Sequence, residues 1–150
     1  MNGFEQEAAA LAAFYGDGEC APTRAQWRDL LAAPDGGPIC VVNFIKLRPA
    51  ALYAAEAADA PCSGLEAFMR YAAVSTSRIG ANGGNVVFGG RKERGFVGID
   101  EDWDVIVIAN YQSRAAFLGL FRDEAYREAY RHRRAAVARY QAVIGASAGG

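Results

Sequence analysis

The sequence predicts an α+β domain: one antiparallel sheet in the order β-α-β-β-α-β, helices on one face of it, and two further helices in front. Three observations carry this reading. From Pro38 onward, runs with strand alternation and runs with helical spacing follow one another in that order. Both faces of "CVVNFI" and "WDVIVIAN" are largely apolar, so the sheet needs a cover on each side. The 150 residues fit a single core. When every crossover of such a unit falls on the same side, the arrangement is ferredoxin-like and its helices cover only one face. A second copy of the sheet is the simplest cover for the other, giving a homodimer through the sheet. In the alternative, the two leading helices fold over the open face within one chain.

Phe4, Ala8, Leu11 and Tyr15 recur at helical spacing, which predicts a first, peripheral helix that "GDGECAP" stops. Thr23 and Gln26 form a T-x-x-Q capping box that opens a second helix, with Trp27, Leu30 and Leu31 inward. "APDGGP" ends it. In the first strand, "PICVVNFIKLRP", Ile39, Val41, Ile45 and Leu47 share one face, and Cys40, Val42 and Phe44 the other. An alanine-rich loop with some helical tendency follows. "SGLEAFMRYAAVSTSRIG" then sets Leu65, Phe68, Met69, Ala72, Thr76 and Ile79 on one helical stripe, flanked by Tyr71 and Ser75. The strands "NVVFGGR" and "WDVIVIANY" enclose the loop "KERGFVGIDED". "SRAAFLGLF" is a short helix with Ser113 as N-cap. "YREAYRHRRAAVARY" is predicted helical as far as Tyr140, with "QAVIGAS" as a short last strand and "ASAGG" as a disordered tail. The domains expected are a helical extension over 1–36 and a ferredoxin-like domain over 37–146.

Sixteen Lys and Arg against seventeen Asp and Glu leave a formal net charge of −1, so no global basic field exists to hold nucleic acid or an anionic membrane. Three cysteines without C-x-x-C spacing or a nearby histidine point to free thiols in a reducing compartment, and to neither a disulfide framework nor a metal site. The amino terminus has neither the basic start nor the long apolar core of a secretory signal, and no apolar run approaches the ~20 residues that cross a bilayer. A cytoplasmic protein is expected. "NGGN" and "FGGR" match no nucleotide-binding fingerprint, and no cofactor is expected.

Within "YREAYRHRRAAVARY", Arg133 alone is charged among the residues of the apolar stripe. A buried guanidinium needs an acidic or polar partner. Asp104, the carboxylate flanked by the apolar run of "WDVIVIAN", becomes a bidentate partner if its face turns toward the helices. Such a pair either fixes helix register or lets Arg133 hook a substrate carboxylate or enolate; Arg133 can also extend its charge out to the helix edge. His132, the chain's one histidine, lies at the edge of the same stripe and is the default general base, or else a hydrogen-bonding structural residue. Asn43 interrupts an inward strand face, so its amide must be hydrogen-bonded and could orient a carbonyl. Tyr71, Tyr111 and Tyr126 combine an apolar ring with a donor, as core residues or as the lining of a pocket for a small, flat, partly polar molecule.

"VVNFIKLRP", "FMRYAA", "NVVFGGR", "WDVIVIANYQSRAAF" and "AYREAYRHRRAAV", in this order, resemble a widespread, mostly uncharacterised bacterial family of the dimeric α/β-barrel superfamily, over roughly 37–144. That superfamily includes cofactor-free monooxygenases, haem-degrading enzymes, muconolactone-isomerase-like and EthD-like proteins. The resemblance implies the fold, the dimer and a pocket between sheet and helices; it does not fix a reaction. The leading expectation is a cofactor-independent enzyme acting on a small aromatic or oxo-acid-like compound by proton transfer, isomerisation or oxygenation. His132 is then the base, Arg133 and Asn43 hold the oxyanion, and Asp104 orients Arg133. The rival is a non-catalytic binding or stress-associated dimer whose polar residues only fix the packing. A third reading, haem held by His132, is checked by mixing hemin with the purified protein. A Soret band that His132→Ala removes supports it; no band ends it.

Overall fold

The computed structural model describes residues 2–147, so residues 148–150 of the closing "ASAGG" lie outside the described residues. The elements are α1 (Gly3–Tyr15), α2 (Arg24–Ala32), β1 (Ile39–Leu47), α3 (Gly64–Ala81), β2 (Gly84–Arg91), β3 (Val105–Tyr111), α4 (Arg114–Arg122), α5 (Glu124–Ala136) and β4 (Val137–Ala146). All strand pairings are antiparallel, and the spatial order is β2-β3-β1-β4. The class is α+β, as the alternation of periods predicts. No helix among the described residues is long and apolar enough to cross a membrane.

Local chemistry explains most boundaries. Thr23 and Gln26 close the capping box of α2, and Ser63 and Glu66 form a second one at α3. Ser113 caps α4 by accepting from the Ala116 N–H. Gly64 has no alternative at its position: a Cβ there would lie 1.9 Å from the Arg48 carbonyl, because the start of α3 presses on the end of β1. Two expectations fail. The segment between β1 and α3 has no helix, despite its alanines. The helix of Arg133 stops at Ala136, and Val137 to Tyr140 belong to β4. No glycine or proline marks that junction; pairing with β1, in register from Leu47↔Val137 to Ile39↔Ala146, overrides the helical pattern of the local sequence.

Strand alternation sorts the sheet into two faces. Ile39, Val41 and Ile45 of β1 and Ala109 and Tyr111 of β3 are buried toward the helices. Val42, Phe44, Ile106 and Ile108 occupy the other face and are only partly buried; Phe88 and Val143, in register with Ile108 and Val42, are about half exposed. The leading helices do not cover this face. Tyr15 of α1 packs edge-on to Phe121 and Tyr130 and donates to the Phe121 carbonyl at 2.6 Å, and Trp27 of α2 packs on Phe121 at 4.9 Å. Both helices therefore extend the helical layer. The first is not peripheral: Ala8, Leu11, Ala12 and Tyr15 belong to the common core.

Asp123 ties that layer together. Its carboxylate accepts from Arg78 Nε at 2.9 Å and Nη2 at 2.7 Å, from Asn82 at 3.0 Å, and from the Tyr126 N–H at the start of α5. The Arg78 guanidinium, above all, holds the carboxyl down to about 2, against the opposing effect of burial. A carboxyl depressed in the folded state stabilises fully above its unfolded value of 3.8, and the contribution is lost as pH falls through about 2. Arg78 is partly solvated, so the contribution is on the order of 1 kcal/mol. Asp123→Asn should lower stability by that amount at neutral pH. Urea unfolding of both proteins should show the gap closing between about pH 4 and about pH 2.

Candidate functional site

Helix α3 packs on α5 but stands off part of the sheet, and the space between is an open cleft of ≈ 1550 Å³. Val41, Asn43, Val107 and Ala109 form its floor. The roof is the stripe that helical spacing singles out: Leu65, Phe68, Met69, Ala72, Thr76 and Ile79 all line the cleft. Leu65 and Met69 are 53% and 58% exposed, while Phe68 and Ile79 of the same stripe belong to the buried core. Tyr71 and Ser75, expected at its flanks, are buried.

Arg133 reaches the cleft from α5 and is only 7% exposed. Its guanidinium lies 3.8 Å from the centre of the Tyr140 ring, 4.8 Å from Tyr130 and 6.0 Å from Tyr71. Such stacking stabilises a cation through the negative faces of the rings. One nitrogen, Nη2, donates to the Cys20 carbonyl at 3.0 Å, and the buried Nε has no acceptor. Cys20 is the one non-glycine residue among those described with a left-handed backbone, φ 57, so that carbonyl comes from a strained turn. No described ion pair includes Arg133. An arginine stays protonated under all ordinary conditions, so a positive charge is buried here without a counter-charge.

The phenols form a network around it. Tyr140 donates to Asn43 Oδ1 at 2.8 Å, Asn43 Nδ2 donates to the Val107 carbonyl at 3.0 Å, and the hydroxyls of Tyr71 and Tyr126 are 2.7 Å apart. Asn43 thus has the bonded, inward amide that strand alternation calls for. Tyr111 lines the cleft beside Phe117. Burial pushes the pKa of Tyr111, Tyr126, Tyr130 and Tyr140 upward, with Arg133 pulling the other way. All four are neutral hydroxyls near neutral pH, and that of Tyr140 donates to Asn43.

Asn43, Tyr71, Tyr111, Tyr126 and Arg133 therefore share one cavity, with Asp104 at its rim and His132 outside it. Asp104 does not pair with Arg133. Its alternation partners Ile106 and Ile108 lie on the face away from the helices, and its carboxylate, at the rim of the cleft, accepts from the Leu47 N–H at 2.8 Å and from Lys46 Nζ at 3.4 Å. His132 does not line the cleft. The Tyr53 hydroxyl accepts from Arg70 at 3.1 Å and shares a hydrogen bond with His132 Nδ1 at 2.6 Å. Burial, and then the charge of Arg131, hold the imidazole below its ordinary pKa. His132 is therefore held by Tyr53 outside the cleft that Arg133 enters.

Strand and helix patterns missed two contributors. Tyr140 is counted as helical by its spacing, yet it reaches Arg133 from β4. Arg48 also lines the cleft, and its buried Nε has no acceptor. A register shift between Lys46 and Leu47 breaks the alternation just before it. The only sequence signal was its position at the end of an apolar strand.

A family model described as a domain of unknown function (DUF1330) matches residues 58–146, beginning later than the motif resemblance does. None of the curated proteins matches. A crystal structure of methylated RPA0582 protein is 36% identical with a TM-score of 0.75, over 89% of this chain and 98% of that one. A second, of the RPA0582 protein of unknown function from Rhodopseudomonas palustris, is 36% identical with a TM-score of 0.75, over 85% and 95%. The likeness thus runs well beyond the span of the family model, which itself covers more than half of the sequence, and the chain belongs to the family of the DUF1330 domain of unknown function.

Proposed function

We propose that this protein binds a small, flat, anionic molecule, aromatic or oxo-acid-like, in the cleft between sheet and helices. One observation carries the reading: a guanidinium is enclosed at the cleft with an unpartnered Nε and no carboxylate against it. Burying an unmatched charge costs several kcal/mol, and an anion entering the cleft would offset that cost. The lining agrees in sign, since Lys46, Arg48, Arg91, Arg114 and Arg133 face Asp29 and Asp104 in a chain of net charge −1. The apolar stripe of α3 supplies the surface for the body of the ligand. Cofactor-independent isomerisation, proton transfer or oxygenation is the chemistry proposed for such a ligand. Arg133 and the free N–H of Asn43 would hold the developing oxyanion, and the base would be a group other than His132.

The strand order β2-β3-β1-β4 supports a ferredoxin-like arrangement, and the bare apolar face supports pairing of two such sheets into a dimeric α/β barrel. Sedimentation should then give twice the 16.0 kDa chain mass. Val42→Glu, in the middle of the bare face, should give the single-chain mass; a wild type that sediments as one chain ends the dimer reading.

A second reading has support in the stacking on Tyr140 and the bond to Cys20: Arg133 as packing, with no ligand. Arg133→Met separates the two. If the charge serves a ligand, the variant should unfold within about 1 kcal/mol of wild type or be more stable, because a buried unmatched charge has been replaced by an apolar chain. It should also lose the rise in melting temperature that benzoate, but not benzamide, gives the wild type. A loss of about 3–5 kcal/mol with no benzoate effect on wild type would establish the packing role instead.

A further inference from the structure

The ligand site holds a second guanidinium, and this narrows the class of molecule that fits. Arg48 leaves β1 just before Pro49 and lines the same cleft as Arg133. Its Nε is buried with no acceptor, as that of Arg133 is, and none of the described ion pairs includes it. Both arginines also line a recess of ≈ 190 Å³ next to the cleft, which Arg134 and Glu19 share. Two cations thus line one recess beside a largely apolar cavity, each with a buried Nε that has no acceptor and neither with a carboxylate in a described ion pair. One singly charged group would balance one of the two positive charges and leave the other unbalanced. The tyrosines add no countercharge, because burial keeps Tyr126, Tyr130 and Tyr140 protonated.

We infer that the cleft selects a small ligand with two carboxylate groups, one on Arg133 within the tyrosine cage and the other on Arg48, its apolar body lying under the α3 stripe. This rests on the reading of the cleft as an anion site and adds the second acidic group to it. Arg48 is then a specificity-determining residue, and it touches the ligand without acting on the tyrosine network.

The test compares dicarboxylates with their own half-esters, which keep the shape and lose one charge. Malonate, succinate, glutarate and the three benzenedicarboxylates, each beside its monomethyl ester, are titrated into the wild-type protein by calorimetry, with benzoate and inorganic phosphate alongside. At least one dicarboxylate should bind roughly tenfold or more tighter than its half-ester, as expected for one charge-assisted, hydrogen-bonded pair. Arg48→Met should abolish that preference, weakening the dicarboxylates far more than their half-esters or benzoate, and Arg133→Met should weaken every acid. If no dicarboxylate exceeds its half-ester while benzoate still binds, the two-carboxylate inference is wrong and the anion site stands. If no acid binds at all, both fall. Phosphate binding as tightly as the best dicarboxylate would overturn the inference in favour of one tetrahedral group held by both arginines. The ester comparison uses wild-type protein alone, so it decides the question even where Arg48→Met fails to fold.

Discussion

Arg133 is a permanent cation at the meeting point of α5, β4 and the turn after α1, and everything near it is arranged around that charge. In water its five N–H groups would all find acceptors; here the Cys20 carbonyl takes one bond, the buried Nε makes none, and three phenol faces supply the rest of the attraction. Tyr140 must lie over the guanidinium to do this, and its hydroxyl then fixes Asn43, which in turn bonds the Val107 carbonyl of the neighbouring strand. A single charge thus orders side chains on α5, β4, β1 and β3.

The cleft has a second origin, the shape of α3. The capping box at Ser63 and the close approach of Gly64 to β1 pin its start, while Arg78 and Asn82 pin its end to Asp123. Tyr71 and Ser75 face the helical layer, and the larger apolar residues Leu65 and Met69 are directed away from it. Between those ends α3 packs on α5 and touches the sheet through Ile79 at Gly84, and the cleft opens where Leu65 and Met69 remain exposed.

Much of the architecture could be read from spacing alone. Alternation in "ICVVNFIKL" and "VIVIANY" separates the covered from the bare face, and capping residues locate the starts of α2 and α4. The sequence also locates the site in outline, since Arg133, Asn43 and the three tyrosines converge. What spacing could not supply was the contact of groups distant along the chain. Asp104 is on the strand suited to meet Arg133 but on the wrong face of it. His132 adjoins Arg133 in sequence, yet consecutive helical residues point about 100° apart, which sends the imidazole to Tyr53. Tyr140 falls in the stretch read as helix, and that assignment yields to pairing with β1. The bulge at Lys46 hides Arg48 for the same reason: tertiary pairing resets local periodicity.

The direct passage from Ala136 into Val137 has a mechanical result. With no linker between α5 and β4, the guanidinium and the ring stacked on it ride on adjoining, oppositely constrained pieces of backbone, one in a packed helix and one zipped to a central strand. Neither can swing aside by a loop motion. The Arg133 side of the cavity is consequently a stiff socket, to whose shape an incoming molecule must conform.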